Sequence, residues 1–126
     1  MKELITGLLS NGTLITALIA MFTAQVIKII YYFIIEKRIN WIHFFEAGGM
    51  PSSHSALVCS LSMMVGLTEG FDSMIFAAVV VFAAIVMYDA IAIRAEDVEH
   101  TIIEVSTGGI IGIIIALIFQ LNIFRG

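Results

Sequence analysis

Apolar residues fall into four long runs separated by short polar breaks. The runs are Leu14–Ile35, Pro51 to about Thr68, Ser73–Ile93 and about Thr101–Phe119. A helix needs roughly 20 apolar residues to cross a hydrocarbon core about 30 Å thick, so each run predicts one membrane-spanning helix. We therefore predict an all-α integral membrane bundle of about four transmembrane helices, with residues 1–126 forming a single membrane-embedded domain.

The composition excludes several other classes of protein. Hydrophobic residues make up 60% of the chain and charged residues 13%, with a mean hydropathy of +1.07, which is atypical of a soluble domain. Six basic against ten acidic residues give a net charge of −4, so no basic stripe for nucleic acid is present. The single Cys59 cannot form an intramolecular disulfide. Because of the high hydropathy, the lipid bilayer is the first expected partner.

Ionisable residues are concentrated at one end of the predicted bundle. Because successive spans alternate in direction, the ends of the first and third spans share a membrane face with the starts of the second and fourth. That face carries Lys28, Lys37, Arg38, His43, His54, Asp89, Arg94, His100 and Glu104. Charges near hydrocarbon are costly and usually mark a functional site. The alternative is a solvated rim of interfacial charges.

The segment GGMPSSHSALVCSL, residues 48–61, predicts an anion site at the start of the second span. Pro51 suits the first turn of a helix, and Ser52 and Ser53 can cap it. Gly48 and Gly49 allow a ligand to approach the backbone closely. The N-terminal N–H groups and the helix dipole would attract a phosphate beside His54. The alternative is simple serine capping with His54 as an interfacial polar residue.

The segment IRAEDVEHTIIEV, residues 93–105, adds a second histidine. His100 and Glu104 are four residues apart and share a helix face. A carboxylate at that spacing can bind one imidazole nitrogen and leave the other free to attack. With Arg94 nearby, the two histidines predict phosphoryl transfer, in which one attacks phosphorus and the other protonates the leaving oxygen.

These motifs resemble the type 2 phosphatidic acid phosphatase superfamily, which is related to the vanadium-dependent haloperoxidases. The pattern of Ala24, Gln25 and Lys28, then GGMPSSHSA, MYDA and HTIIEV, is similar to its small divergent bacterial and plant branch. The resemblance implies metal-independent hydrolysis of a lipid phosphomonoester or pyrophosphate without a cofactor, in a bacterial cell membrane. It implies His100 as nucleophile, Glu104 as its orienting residue and His54 as general acid. The implied phosphate ligands are Lys28, Arg38, Ser52, Ser53 and Arg94.

The chain departs from the superfamily pattern at several positions. Ser53 stands where the second motif usually has glycine, Ile93 stands where the third has serine, and Glu104 stands where it has aspartate. Lys28 and Arg38 are ten residues apart instead of seven. Only nine residues separate Ala90 from His100, where the divergent branch usually has a long segment. The chain is either a natural short form or one from which a loop has been removed.

Four further features complete the predicted site and its surroundings. Gln25, Lys28 and Tyr32 form a polar stripe toward the bundle interior, with snorkelling of Lys28 as the alternative. Asp89 is an accessory residue that could pair with Lys28 or Arg94, or hold a metal ion. Trp41, His43 and Phe44 indicate an interfacial anchor or a headgroup contact. Gly108 and Gly112 form a GxxxG pattern for close helix packing, within the bundle or in a homodimer.

Three functions remain open from the sequence. The first is the lipid phosphatase. The second is a metal-dependent phosphotransferase with Asp89 and Glu104 as ligands, and the third is a lipid-binding or assembly protein without turnover. Lys37, Arg38 and Arg94 outnumber Lys2 and Arg125 at the opposite end, so the positive-inside rule favours a cytoplasmic site.

Overall fold

All regular secondary structure in the described part of the chain is helical. The computed structural model describes residues 1–46, 48–93 and 98–125, and the side chains of 98–100 and 123–125 lie outside that description. Its six helices are α1 Lys2–Ser10, α2 Gly12–Glu36, α3 Ile42–Phe45, α4 Ser53–Glu69, α5 Met74–Ala92 and α6 Val98–Arg125. The predicted all-α class is confirmed, and four of these helices coincide with the predicted spans.

Capping residues set the helix boundaries. The Asn11 side chain accepts the Leu14 N–H at 3.0 Å to begin α2, and Lys37 ends it in the left-handed conformation with φ 59°. The Ser73 hydroxyl accepts the Phe76 N–H at 3.2 Å to begin α5. These short polar side chains satisfy backbone groups that the first helical turn leaves unpaired.

Within the described ranges, three helices are long and apolar enough to cross a membrane: α2, α5 and the Thr101–Asn122 part of α6. The fourth predicted span, α4, has 17 residues and lies between the others, in contact with all three. Much of α4 is buried, whereas Ala83 is the one buried residue of α5. Large apolar side chains therefore face outward on the longer helices, as expected for a protein solvated by lipid.

Small residues bring α4 and α6 together. A methyl group on Gly108 would overlap the Ser52 carbonyl oxygen, and one on Gly112 would overlap the Ala56 carbonyl oxygen. The GxxxG pattern of α6 thus packs against α4 within the chain, one of the two possibilities that the sequence left open. The close contact places the beginning of α4 against the beginning of α6.

Two short helices were not predicted from the sequence. The first, α1, has no buried residue, and its apolar side chains Leu4, Ile5, Leu8 and Leu9 are all exposed. The second, α3, is a single turn inside the loop that joins α2 to α4. That loop passes over the end of the bundle where the candidate site lies.

Candidate functional site

The beginning of α4 is buried and capped. Ser52 is the N-cap, and its hydroxyl accepts the Ser55 N–H at 3.2 Å. Ser53 is the first helical residue, so Pro51 precedes the cap, and its predicted place in the first turn is wrong. Ser52 and Ser53 are only 4% and 2% exposed, whereas His54 is exposed. His54 therefore projects from an otherwise buried first turn.

The preceding loop needs glycine at two positions. Gly48 has φ 118° and Gly49 has φ 96°, values that cost little only without a side chain. A Cβ on Gly49 would also lie 3.0 Å from the Tyr32 hydroxyl and 3.5 Å from Lys28 Cδ. The sequence predicted that a ligand could approach the backbone of these glycines closely. In the structure, side chains of α2 make the close approach to the loop backbone at Gly49.

The polar stripe of α2 binds this loop. Gln25 Nε2 donates to the Phe44 carbonyl at 2.9 Å, and Lys28 Nζ donates to the Glu46 carbonyl at 3.3 Å. The Tyr32 hydroxyl accepts the Met50 N–H at 3.4 Å. Lys28 is fully buried. The predicted inward orientation of the stripe is confirmed, and its described partners are backbone groups of the loop.

Glu104 joins the loop and α4 to α6. Its side chain is buried, and Oε2 accepts the Gly49 N–H at 3.3 Å. Its backbone carbonyl accepts the Ser52 N–H at 3.1 Å, and the Val105 carbonyl accepts the Ser55 hydroxyl at 2.6 Å. The glycine loop and the two helix starts therefore form one hydrogen-bonded unit.

A cavity of about 330 Å³ opens beside this unit. We call it the polar cavity. Its lining comprises Gly48, Ser52, His54, Val86, Asp89, Ala90, Ile93, Thr101, Glu104 and Val105. The lining thus combines the glycine loop, the start of α4, the end of α5 and the start of α6. This is the convergence predicted from alternating span direction.

The predicted site residues fall into three groups. Ser52, His54, Asp89 and Glu104 line the polar cavity. Gln25, Lys28 and Ser53 lie behind its lining, while Arg38 is exposed beyond the end of α2. Arg94 and the side chain of His100 lie outside the described residues. The backbone of His100 belongs to α6, so it lies one helical turn before Glu104, as predicted.

The sequence interpretation missed one polar lining residue and one cluster. Thr101 is 3% exposed and lines the cavity, and its position three residues before Glu104 on a helix was the available signal. His43 Nε2 lies 2.9 Å from Glu36 Oε1, and Nδ1 lies 2.9 Å from Glu46 Oε2. The ring also stacks on Tyr32 at 4.1 Å between centroids. We call His43, Glu36 and Glu46 the His43 cluster.

The two carboxylates affect the protonation of His43. The hydrogen bond with Glu46 raises its pKa above the ordinary value of 6.5, partial burial opposes this, and the bond with Glu36 adds to the rise. The cluster therefore favours the imidazolium form. The two ring nitrogens face different carboxylates, so the cluster does not converge on a single ligand position. Trp41, next to the cluster, is 65% exposed, consistent with the predicted interfacial anchor.

Comparison with known proteins identifies the family of this chain. Residues 9–99 match the divergent PAP2 family. The chain belongs to this family. The match covers the glycine loop, α4 and α5 and ends one residue before His100. The divergent PAP2 membership confirms the resemblance drawn from the sequence motifs.

One divergent PAP2 relative is 43% identical to this chain over 87 residues, which are 69% of the chain and 55% of the relative. It is described as "Uncharacterized membrane protein YuiD" of Bacillus subtilis (strain 168). The chain thus spans about half the length of this relative. No solved structure matches the chain. Together with the three apolar helices, these findings identify an integral membrane protein of PAP2 type.

Proposed function

We propose that the protein is a membrane lipid phosphate phosphatase that acts through a phosphohistidine intermediate. The observation that carries the proposal is that His54 of α4 and Glu104 of α6 line one cavity at the beginning of α4. Membership of the divergent PAP2 family supports the same reaction class. The substrate is a phosphomonoester or pyrophosphate of a lipid, held with its phosphate in the polar cavity.

The start of α4 is suited to bind the phosphate. The N–H groups of Ser53 and His54 occupy the first turn, where no intrahelical carbonyl is within reach. The positive end of the helix dipole adds attraction for an anion. The Lys28 side chain lies against Gly49 behind the loop, and we expect Arg94, which lies outside the described residues, to add positive charge. These groups offset repulsion from Asp89 and Glu104.

The chemical step divides between the two histidines. A nitrogen of His100 attacks phosphorus while the bond from phosphorus to the lipid oxygen breaks, and His54 donates its proton to that leaving oxygen. Glu104, one turn from His100, stabilises the positive charge that develops on the imidazole. Deprotonated His54 then activates a water molecule, which hydrolyses the phosphohistidine, releases inorganic phosphate and regenerates His100.

Phosphate release from a panel of lipid phosphates tests this function. The purified full chain in lipid nanodiscs should release phosphate from at least one member. We expect His54→Ala to lower the rate about 10²–10⁴-fold through loss of the general acid. His100→Ala should abolish turnover and the acid-labile phosphoenzyme together. The third histidine provides the comparison, since His43 lies outside the cavity lining and His43→Gln should lower the rate far less than either of these variants.

Two results would favour the other functions. Because Asp89 and Glu104 both line the cavity, the assay includes a chelator, and complete loss of release would indicate a metal-dependent phosphotransferase instead. Saturable binding of phosphatidic acid without any phosphate release would indicate a lipid-binding protein. Release that persists unchanged in His100→Ala would contradict the phosphohistidine mechanism.

A further inference from the structure

A second cavity lies between α4, α5 and Ile113 of α6. Its volume is about 260 Å³. We call it the apolar groove, and its lining includes Cys59, Met63, Phe76, Val80, Ala84 and Met87. The Ser62 hydroxyl, also in the lining, donates to the Val58 carbonyl at 2.8 Å and is satisfied within its own helix. The groove therefore offers almost entirely apolar surface to an occupant.

The apolar groove and the polar cavity are lined by neighbouring residues of α5. Val86 and Ala90 line the polar cavity, while Ala83 and Met87 line the groove. At the junction, Cys59 Sγ lies 3.6 Å from Met87 Sδ. An unbranched methionine side chain changes rotamer at little cost. Residues that line the two cavities therefore lie within one helical turn of each other on α5, with the adaptable Met87 side chain on the groove side.

The dimensions of the groove match one hydrocarbon chain. The stretch of α5 from Phe76 to Met87 is about 16 Å long, close to half of a hydrocarbon core about 30 Å thick. A volume of about 260 Å³ along that length makes the groove narrow compared with a helix about 10 Å across. A helix of a second copy would not fit inside it, whereas an extended chain from one leaflet would.

We propose that the apolar groove binds a hydrocarbon chain of the lipid whose phosphate occupies the polar cavity. This inference rests on the proposed function, which places the phosphate next to His54. The bound chain fixes the lipid below its headgroup, so the protein selects lipids with a chain long enough to reach past Met87 toward Phe76. Phosphates of short or chainless alcohols lack this contact.

Photo-crosslinking tests the proposal independently of turnover. The probe is phosphatidic acid with a diazirine at the end of one long acyl chain, and the reference is the matching diacylglycerol, which lacks the phosphate. With the full chain in nanodiscs, we expect phosphatidic acid to label the groove residues Met63 and Val80 about tenfold more than the reference does, a difference in binding of about 1.4 kcal/mol. Ala84→Phe fills the groove and should remove this labelling.

Ala78→Phe is the matched control, since Ala78 lies on the same helix, is exposed and is not part of the groove lining. It should leave the labelling unchanged.

Equal labelling by both lipids, or labelling spread over outward positions such as Val81, would overturn the inference, and this comparison needs only the wild-type chain. Hydrolysis measured on the same sample separates the two proposals. Turnover without phosphate-dependent labelling would contradict only the binding of a lipid chain in the apolar groove. Labelling without turnover would contradict the proposed phosphatase activity.

Discussion

His43 shows how single side chains hold the loop above the site. Its ring contacts Glu36 at the end of α2, Glu46 within the loop and the face of Tyr32. The backbone carbonyl of Glu46 also accepts a hydrogen bond from the Lys28 ammonium group. The loop that continues to Gly49 is therefore attached to α2 by an ion-paired ring and by hydrogen bonds to its backbone.

The raised pKa of His43 predicts a pH-dependent stability. Because the folded-state pKa lies above 6.5, the imidazolium contributes its full stabilisation below that value, and the contribution is lost as the pH rises through the folded pKa. We expect the thermal midpoint of the wild type to exceed that of His43→Gln most at about pH 6 and least at about pH 8.5. Thermal unfolding in detergent across this range measures the difference. A difference that is constant or grows with pH would contradict the assignment.

The sequence could predict which side chains face inward but not their partners. The spacing of Gln25, Lys28 and Tyr32 follows from helical periodicity alone. Their acceptors and donor are backbone groups 18 or 19 residues away, and those positions depend on the path of an irregular loop. Glu36 and His43 are likewise seven residues apart, but the helix ends between them at Lys37. Periodicity carries no information across such a break.

At the level of elements, the contact of α4 with α6 determines the site. Gly108 and Gly112 let the helices approach until backbone carbonyls of α4 occupy the space of two missing methyl groups. The same contact places Ser52 beside Glu104 and Ser55 beside Val105. The polar cavity is therefore positioned by glycines one and two turns away from it.

Substitution of Gly112 tests this packing. Gly112→Ala would place a methyl group on the Ala56 carbonyl, which is backbone and cannot rotate away. We expect a loss of about 1–3 kcal/mol in the free energy of unfolding, as for other overpacked sites, measured by denaturant titration in mixed micelles. Gly7→Ala is the matched control because nothing lies within 4 Å of its Cβ position. It should be neutral or stabilise the chain by up to about 1 kcal/mol.

A Gly112→Ala protein as stable as the wild type would contradict the intrachain packing. If the substitution instead dissociated a dimer while each chain kept its stability, the GxxxG pattern would act between subunits. Size-exclusion chromatography with light scattering on the same samples distinguishes these results. The sequence pattern could identify the close-packing face of α6, but not which neighbour uses it, because small residues permit any helix to approach.

Hydrophobic runs located four helices correctly and left two unrecognised. Runs near 20 residues are determined by the thickness of the membrane, so α2, α5 and α6 were predictable. In contrast, α1 has nine residues and α3 has four, too few for periodicity to distinguish them from loops. The boundary at α4 was misplaced by two residues because Pro51 is equally compatible with a helix start and with the turn before it.

At the scale of the whole molecule, more of the described basic residues lie at the end of the bundle that holds the polar cavity than at the opposite end, where Lys2 lies. Lys37 and Arg38 follow α2 at the end that holds the polar cavity, whereas Glu69 and Asp72 lie around the turn between α4 and α5. The positive-inside rule therefore predicts that the polar cavity faces the cytoplasm.

Cysteine labelling measures this orientation. In a Cys59→Ser background, Asp72→Cys should react with a membrane-impermeant maleimide on intact cells, since we expect it outside. Lys37→Cys should react only after the cells are permeabilised. Both positions are exposed in the structure, so accessibility to the reagent depends on sidedness alone. The reverse pattern would place the site outside the cytoplasm and would leave the fold unchanged.

The short length of α4 affects the depth at which the proposed reaction would take place. Its 17 residues rise about 25 Å, less than a hydrocarbon core about 30 Å thick. If Glu69 is placed at the opposite membrane surface, Ser52 falls beneath the level of the surrounding headgroups. A lipid that reaches it must sink by about 5 Å relative to its neighbours. Membrane thickness should therefore govern how readily a lipid is captured, and thinner bilayers should favour the reaction.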